Sequence, residues 1–162
     1  YIKLGFSVLK VKTGQDVDMD IERIRKIHEN NSHTIIRVDA NQGYNIDDLK
    51  KFIKASRNLN LELIEQPLKV GKESDLIKIE KEDRRILVAD ESLKNSLSAI
   101  QFAASPQPFG IYNIKLMKCG GLLVAFEIAT IAKAAGIDLF WGCNDESVVS
   151  ITAALHAAFA CP

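Results

Sequence analysis

"SVLKVKTG", residues 7–14, has the composition of a β-strand but sets Lys10 and Lys12 among Val8, Leu9 and Val11. Side chains alternate along a strand, so Val8, Lys10 and Lys12 share one face and Ser7, Leu9 and Val11 the other. If both faces of such a strand are covered, two ammonium groups enter an interior and need anions beside them. Reading outward, "TIIRVD", "LELIE", "RILVAD", "GIYNIK" and "DLFWG" have the same β-rich character. Amphipathic stretches separate these runs, among them Val17, Ile21, Ile24 and Ile27, and later Leu122, Phe126, Ala129 and Ala132. The pattern is a repeated β-α unit.

The interval is as informative as the elements. The last polar residue of each strand falls at Lys12, Asp39, Glu65, Asp90 and Lys115, followed by the Gly142-Cys143 turn, a step of roughly 25 residues and about one βα unit of a parallel sheet. The chain therefore reads as an α/β protein of the TIM-type (β/α) barrel class. In that architecture all strand C-termini open on one face, which carries the active site. Three carboxylates, Asp39, Glu65 and Asp90, then supply hard oxygen donors suited to Mg2+, with Mn2+ as a substitute, and Lys10, Lys12 and Lys115 flank them. Crowded cations are expected to lower one another's pKa and free a lysine to act as a base. Asp16 and Asn45 read as helix N-caps, Gly136 as a helix stop and "SPQPFG" as a loop before a strand.

The bounds agree with an ordinary globular domain. The 162 residues are 47% hydrophobic and carry 21 basic against 21 acidic side chains, so no net charge draws the chain to nucleic acid or an anionic membrane. The apolar region from Leu122 to Phe140 is broken by Glu127, Lys133 and Asp138, which argues against a membrane span. Cys119, Cys143 and Cys161 are odd in number and dispersed, the usage expected of reduced thiols in a cytoplasmic protein. Residues 1–162 read as one partial domain; Tyr1 in place of a methionine and the apolar run into Pro162 suggest cuts through a longer protein.

The combination "LKVK", "VDANQGY", "IEQPL", "VADES", "NIKLMKCGG" and "GCNDES" resembles the enolase superfamily, in its muconate-lactonizing-enzyme subgroup, with the nearest likeness to dipeptide epimerases of the L-Ala-D/L-Glu type. The resemblance covers essentially the whole chain. It implies a (β/α)7β barrel of which this segment holds about the second through seventh strands, without the first and eighth strands or the capping domain. A complete barrel takes about 250 residues, so the segment alone is expected to have little or no activity. The resemblance further implies that Asp39, Glu65 and Asp90 ligate Mg2+, that Lys12 and Lys115 are bases on opposite faces of the substrate, and that Lys10 holds down the pKa of Lys12. The chemistry is then removal and return of the proton α to a carboxylate through a metal-stabilised enediolate, which epimerises a dipeptide. The partner is a small carboxylate substrate, and a homo-oligomer is in keeping with the superfamily.

Asn144 and Asp145, where related epimerases often carry less polar residues, are candidates for substrate recognition, as is Asn41 on the strand face of Asp39. They leave alanyl-glutamate, alanyl-alanine and alanyl-hydrophobic dipeptides open. Two other functions remain as alternatives: a muconate-type cycloisomerase or o-succinylbenzoate synthase on the same scaffold, and a truncated metal-binding segment without catalysis. Each residue also has a plain structural reading. Strand-end carboxylates cap turns, single strand lysines reach solvent, and a loop-start Asn shapes a turn. Lys94 and Lys118 are expected to be solvated or to sit behind the reacting groups. His28, His33 and His156 are expected to be structural or exposed and Cys143 a packed small residue, while Gly120-Gly121 reads equally as backbone N–H groups presented at a helix N-terminus or as a tight strand-to-helix turn.

Overall fold

The computed structural model describes residues 1–161. Its elements run β1 (Val8–Lys12), α1 (Val17–Asn30), β2 (Ile35–Asp39), α2 (Ile46–Ser56), β3 (Leu61–Glu65), α3 (Lys81–Arg84), β4 (Leu87–Ala89), α4 (Ser96–Ala103), β5 (Ile111–Ile114), α5 (Leu116–Cys119), α6 (Leu122–Ala135), β6 (Asp138–Trp141) and α7 (Val148–Ala160). Short 3-10 turns at Ile2–Leu4 and Glu73–Lys78 complete the set. Every strand read from the sequence is present, and all pairings given below are parallel. This is the βα repeat of a TIM-type barrel, and six strands make it a partial one.

Two compact units divide the chain, Tyr1–Leu87 and Val88–Pro162. In the first, β1 pairs with β2 and β2 with β3. Ile24, Val38, Leu49, Phe52 and Ile64 are fully buried and form its core. The helices start where local chemistry dictates. Asp16 accepts from the backbone N–H groups of Asp18 and Met19, and Asn45 from those of Asp47 and Asp48, so both expected N-caps are in place. In the second unit β4 pairs with β5 and β5 with β6, over a core of Val88, Leu93, Tyr112, Ile114 and Ile128. The Tyr112 hydroxyl donates to the Ala99 carbonyl at 2.7 Å, which satisfies a buried phenol that burial holds protonated well above its ordinary range. Gly136 ends α6 in the left-handed region at φ 67°, as a C-terminal stop should.

Register decides which side chains meet. Lys12 lies opposite Asp39 and Asp39 opposite Glu65, so three charged residues form one row across β1, β2 and β3. An irregularity between Ile36 and Arg37 absorbs the offset that brings the two carboxylates level. Among the described residues no helix is long and apolar enough to cross a membrane. Cys119, Cys143 and Cys161 are free thiols. Cys143 is exposed and not packed as the sequence suggested, since it falls in the irregular stretch beyond the end of β6.

Candidate active site

In the first unit the ends of three strands build a compact charge cluster. The Lys10 ammonium donates to Glu65 Oε2 at 2.5 Å and lies 3.0 Å from Asp39 Oδ2. Lys12 donates to Asp39 Oδ2 at 2.7 Å and to Asn41 Oδ1 at 2.7 Å. The burial is uneven: the Asp39 and Glu65 side chains are 3% and 0% exposed, whereas those of Lys10 and Lys12 are 39% and 68% exposed. The sequence suggested buried ammonium groups; the structure buries the carboxylates and lets the lysine stems run up from solvent to meet them.

That asymmetry fixes the electrostatics. Burial alone would lower the Lys10 pKa, but the hydrogen bonds and charges of Glu65 and Asp39 outweigh it and hold the group above 10.5. The expected depression by neighbouring cations is therefore not found at Lys10, where Glu65 and Asp39 at hydrogen-bond distance decide the direction. Burial likewise would raise the Asp39 pKa, but hydrogen bonds from Lys12 and Lys10 hold it below 3.8.

The turn after β2 completes the cluster. Asn41 and Gln42 adopt left-handed backbone, φ 41° and 68°, so the chain reverses sharply and presents the Asn41 carboxamide to Lys12. The Asn41 N–H donates back to Asp39 Oδ1 at 3.1 Å. Asn41 thus both shapes the turn and touches a lysine.

The second unit carries a matching group. Asp90, just after β4, receives Lys115 on Oδ2 at 2.5 Å and Lys118 on Oδ1 at 2.6 Å. Lys118 also donates to the Asp90 and Asn113 carbonyls at 2.7 and 2.8 Å. Both lysine side chains are 13% exposed, so of the two expectations for Lys118 the structure takes the second: it is not solvated but sits behind Lys115 on Asp90. Its spacing from Lys115 by one turn of α5 was the signal that could have revealed it. Gly142, at the end of β6, passes so close that a Cβ there would lie 3.0 Å from the Lys115 stem and 2.6 Å from Asn113 Oδ1.

The loop after β6 holds the remaining candidates. Asn144 and Asp145 are exposed. Glu146, which the sequence did not single out, accepts from the Ser150 hydroxyl and from the Asn144 N–H, at 2.9 Å for the latter. Those two bonds, Ser150 first, hold its carboxyl below 4.5. Lys94 is exposed. A buried Asp20 with Arg23 and Tyr44 also escaped the sequence reading, for Asp20 looks like one more acid in the first turn of a helix.

Asp39, Glu65 and Asp90 are hard oxygen donors on strand ends, each neutralised here by at least one ammonium group. The demand of these buried carboxylates for positive charge fits a divalent cation. Among the described residues no three His, Cys, Asp or Glu side chains are clustered closely enough to enclose an ion.

Carboxylates and lysines thus recur at the strand ends of this βα repeat, and comparison with known proteins shows the family to which the chain belongs. Residues 1–162 match the family described as Enolase C-terminal domain-like, and the chain belongs to that family. An L-Lys-D/L-Arg epimerase from Methylococcus capsulatus is 51% identical over 163 residues, covering 100% of this chain and 46% of that protein. An L-Ala-D/L-Glu epimerase from Bacillus subtilis is 34% identical, covering 98% of this chain and 44% of its own length. The crystal structure of a dipeptide epimerase from Methylococcus capsulatus, complexed with Mg and the dipeptide L-Arg-D-Lys, has a TM-score of 0.95 at 51% identity and covers 99% of this chain and 46% of that one. The chain spans about half the length of the curated relatives it matches.

Proposed function

We propose that the protein containing this chain is a Mg2+-dependent dipeptide epimerase. The carrying observation is the row Lys12, Asp39, Glu65 on adjacent strands, with Lys10 shared between the two carboxylates. Asp39, Glu65 and Asp90 would hold the ion, which when bound offsets the charge that builds on a substrate carboxylate as its α-proton leaves. Mn2+, also a hard cation, is expected to substitute.

Lys12 and Lys115 serve as the two bases, one taking the α-proton and the other returning one, so that configuration inverts. Asn41 accepts from the Lys12 ammonium and can steady it in the charged state left after proton removal. Lys10 stays cationic, consistent with its raised pKa, and supplies fixed positive charge beside the carboxylates. Lys118 holds Asp90 from the side opposite Lys115.

A dipeptide with cationic side chains is the favoured substrate. The 51% identity to an L-Lys-D/L-Arg epimerase against 34% to an L-Ala-D/L-Glu epimerase supports this class, and so does the acidic Asp145-Glu146 pair in the loop after β6. The cycloisomerase reading has no comparable support here.

The test is α-proton exchange in D2O, followed by NMR, with the full-length protein, Mg2+ and a small library of L,L-dipeptides. Deuterium should enter the C-terminal residue of lysyl and arginyl dipeptides, chelation should stop it, and Lys12→Ala or Lys115→Ala should abolish epimerisation. Mg2+ binding without exchange on any dipeptide would remove the epimerase reading.

A further inference from the structure

We propose that Asp20, with Arg23 and Tyr44, is a positioning network that aims Lys12, an inference resting on the assignment of Lys12 as a base above. Asp20 is almost completely buried on α1 and accepts three hydrogen bonds from three segments: the Gly14 N–H at 2.8 Å, the Tyr44 hydroxyl at 3.0 Å and Arg23 Nη1 at 2.9 Å. The same Arg23 Nη1 donates to the Lys12 carbonyl at 2.9 Å. One carboxylate therefore links α1, the loop after β1, the loop after β2 and, through Arg23, the peptide carbonyl of Lys12.

Asp20 does not serve the helix as a cap, since Asp16 already accepts from the Asp18 and Met19 N–H groups at 2.9 and 3.0 Å. Stability alone does not call for a buried acid either, because an apolar side chain in such a place is often as good or better. What the network does provide is fixed geometry. Thr13 N–H donates to the Asp39 carbonyl at 2.9 Å, and Gly14 meets Gly43 so closely that a Cβ on Gly43 would lie 2.0 Å from the Gly14 carbonyl oxygen. The two loops that follow Lys12 and Asp39 are thus locked backbone to backbone, and Asp20 ties that lock to α1. The Lys12 side chain is long and 68% exposed, so its reach depends on where its backbone is held. Misplacing a reacting group by the order of 1 Å costs on the order of a hundredfold in rate.

A structural role would slow every activity alike, whereas an effect through Lys12 would be confined to the proton Lys12 handles. The full-length protein with Mg2+ in D2O is therefore given L-Arg-L-Lys and L-Arg-D-Lys separately, and exchange of the C-terminal α-proton is followed by NMR. Lys115→Ala isolates exchange that depends on Lys12, and Lys12→Ala isolates exchange that depends on Lys115. Adding Arg23→Ala or Tyr44→Phe to the Lys115→Ala protein is expected to slow exchange about tenfold or more with KM within about twofold. Adding either to the Lys12→Ala protein should leave the rate within about twofold, and Arg23→Lys, which can still donate, should recover part of the loss. Equal slowing in both backgrounds, or slowing in neither, overturns the positioning role. Loss of all exchange in both single-lysine variants, while the unaltered protein exchanges, instead overturns the two-base reading on which it rests.

Discussion

At the scale of single residues the site is a balance of charge in which the carboxylates are the buried partners. Asp39 is held below 3.8 and Lys10 above 10.5, each against the tendency of its own burial. The linkage follows from those directions. Asp39 contributes stability that is complete above its unfolded value of 3.8 and is lost as pH falls through its lower folded value. Lys10 contributes stability that is complete below 10.5 and is lost as pH rises through its higher folded value. Charge-assisted hydrogen bonds of this kind carry roughly 1.5–3 kcal/mol, reduced here because both lysines are well exposed to solvent. Asp39→Asn should therefore cost the metal-free protein about 1–2 kcal/mol at pH 7, and the gap to the unaltered protein should close below about pH 4. Denaturant unfolding across that range checks it; a gap independent of pH would show that the ionised form of Asp39 contributes nothing.

At the scale of elements, two loops carry the cluster and two glycines let them touch. A Cβ on Gly14 would lie 2.2 Å from the Ala40 carbonyl oxygen, and Gly14 also has φ +98°; a Cβ on Gly43 would lie 2.0 Å from the Gly14 carbonyl oxygen. In both cases the obstacle is backbone, which cannot rotate away. Gly43→Ala should cost roughly 2–3 kcal/mol by forced separation, and Gly14→Ala about 1 kcal/mol more from its left-handed backbone. Gly71, at φ +90° with nothing within 4 Å, is the control: Gly71→Ala should cost only the conformational part, about 1 kcal/mol. Thermal melts of the three variants order these effects, and equal losses at all three would deny the close approach. The strands that support these loops were legible in the sequence because alternation, strand-end charges and a repeat of roughly 25 residues all pointed the same way. Asp20 and Glu146 were not legible, and Lys118 only in part. Asp20 is one of several acids opening α1, Lys118 read equally as a solvated lysine or as one behind the reacting groups, and Glu146 is one more polar residue in a loop. Only tertiary contacts with Gly14 and Tyr44, with Asp90 and with Ser150 set them apart.

At the scale of the whole molecule, family membership and the strand-end charges argue for one kind of chemistry, while the half-length match leaves the activity to the full-length protein. The class of fold could be read from periodicity because each βα unit repeats the same physical solution, a buried parallel strand shielded by a helix. Substrate class could not, because loop side chains obey no period, and the proposed recognition residues Asn144 and Asp145 lie in such a loop. The metal assignment is tested most directly by linkage. An ion that binds only the folded state stabilises it by about 2.7 kcal/mol at one hundred times its dissociation constant. Titrating Mg2+ into the full-length protein should therefore raise its melting temperature progressively, and Asp39→Asn, Glu65→Gln and Asp90→Asn should each remove most of that rise. Asn144→Ala, at an exposed loop position outside the proposed ligand set, should keep it. The ammonium groups paired with these carboxylates would compete with an ion held by the proposed ligands, so Lys10→Met should strengthen the Mg2+-dependent rise even as it lowers the stability of the metal-free protein. A Lys10→Met protein that binds Mg2+ no better than the unaltered one would mean that the ammonium and the ion occupy separate places, and that Lys10 serves the substrate and not the ion's position.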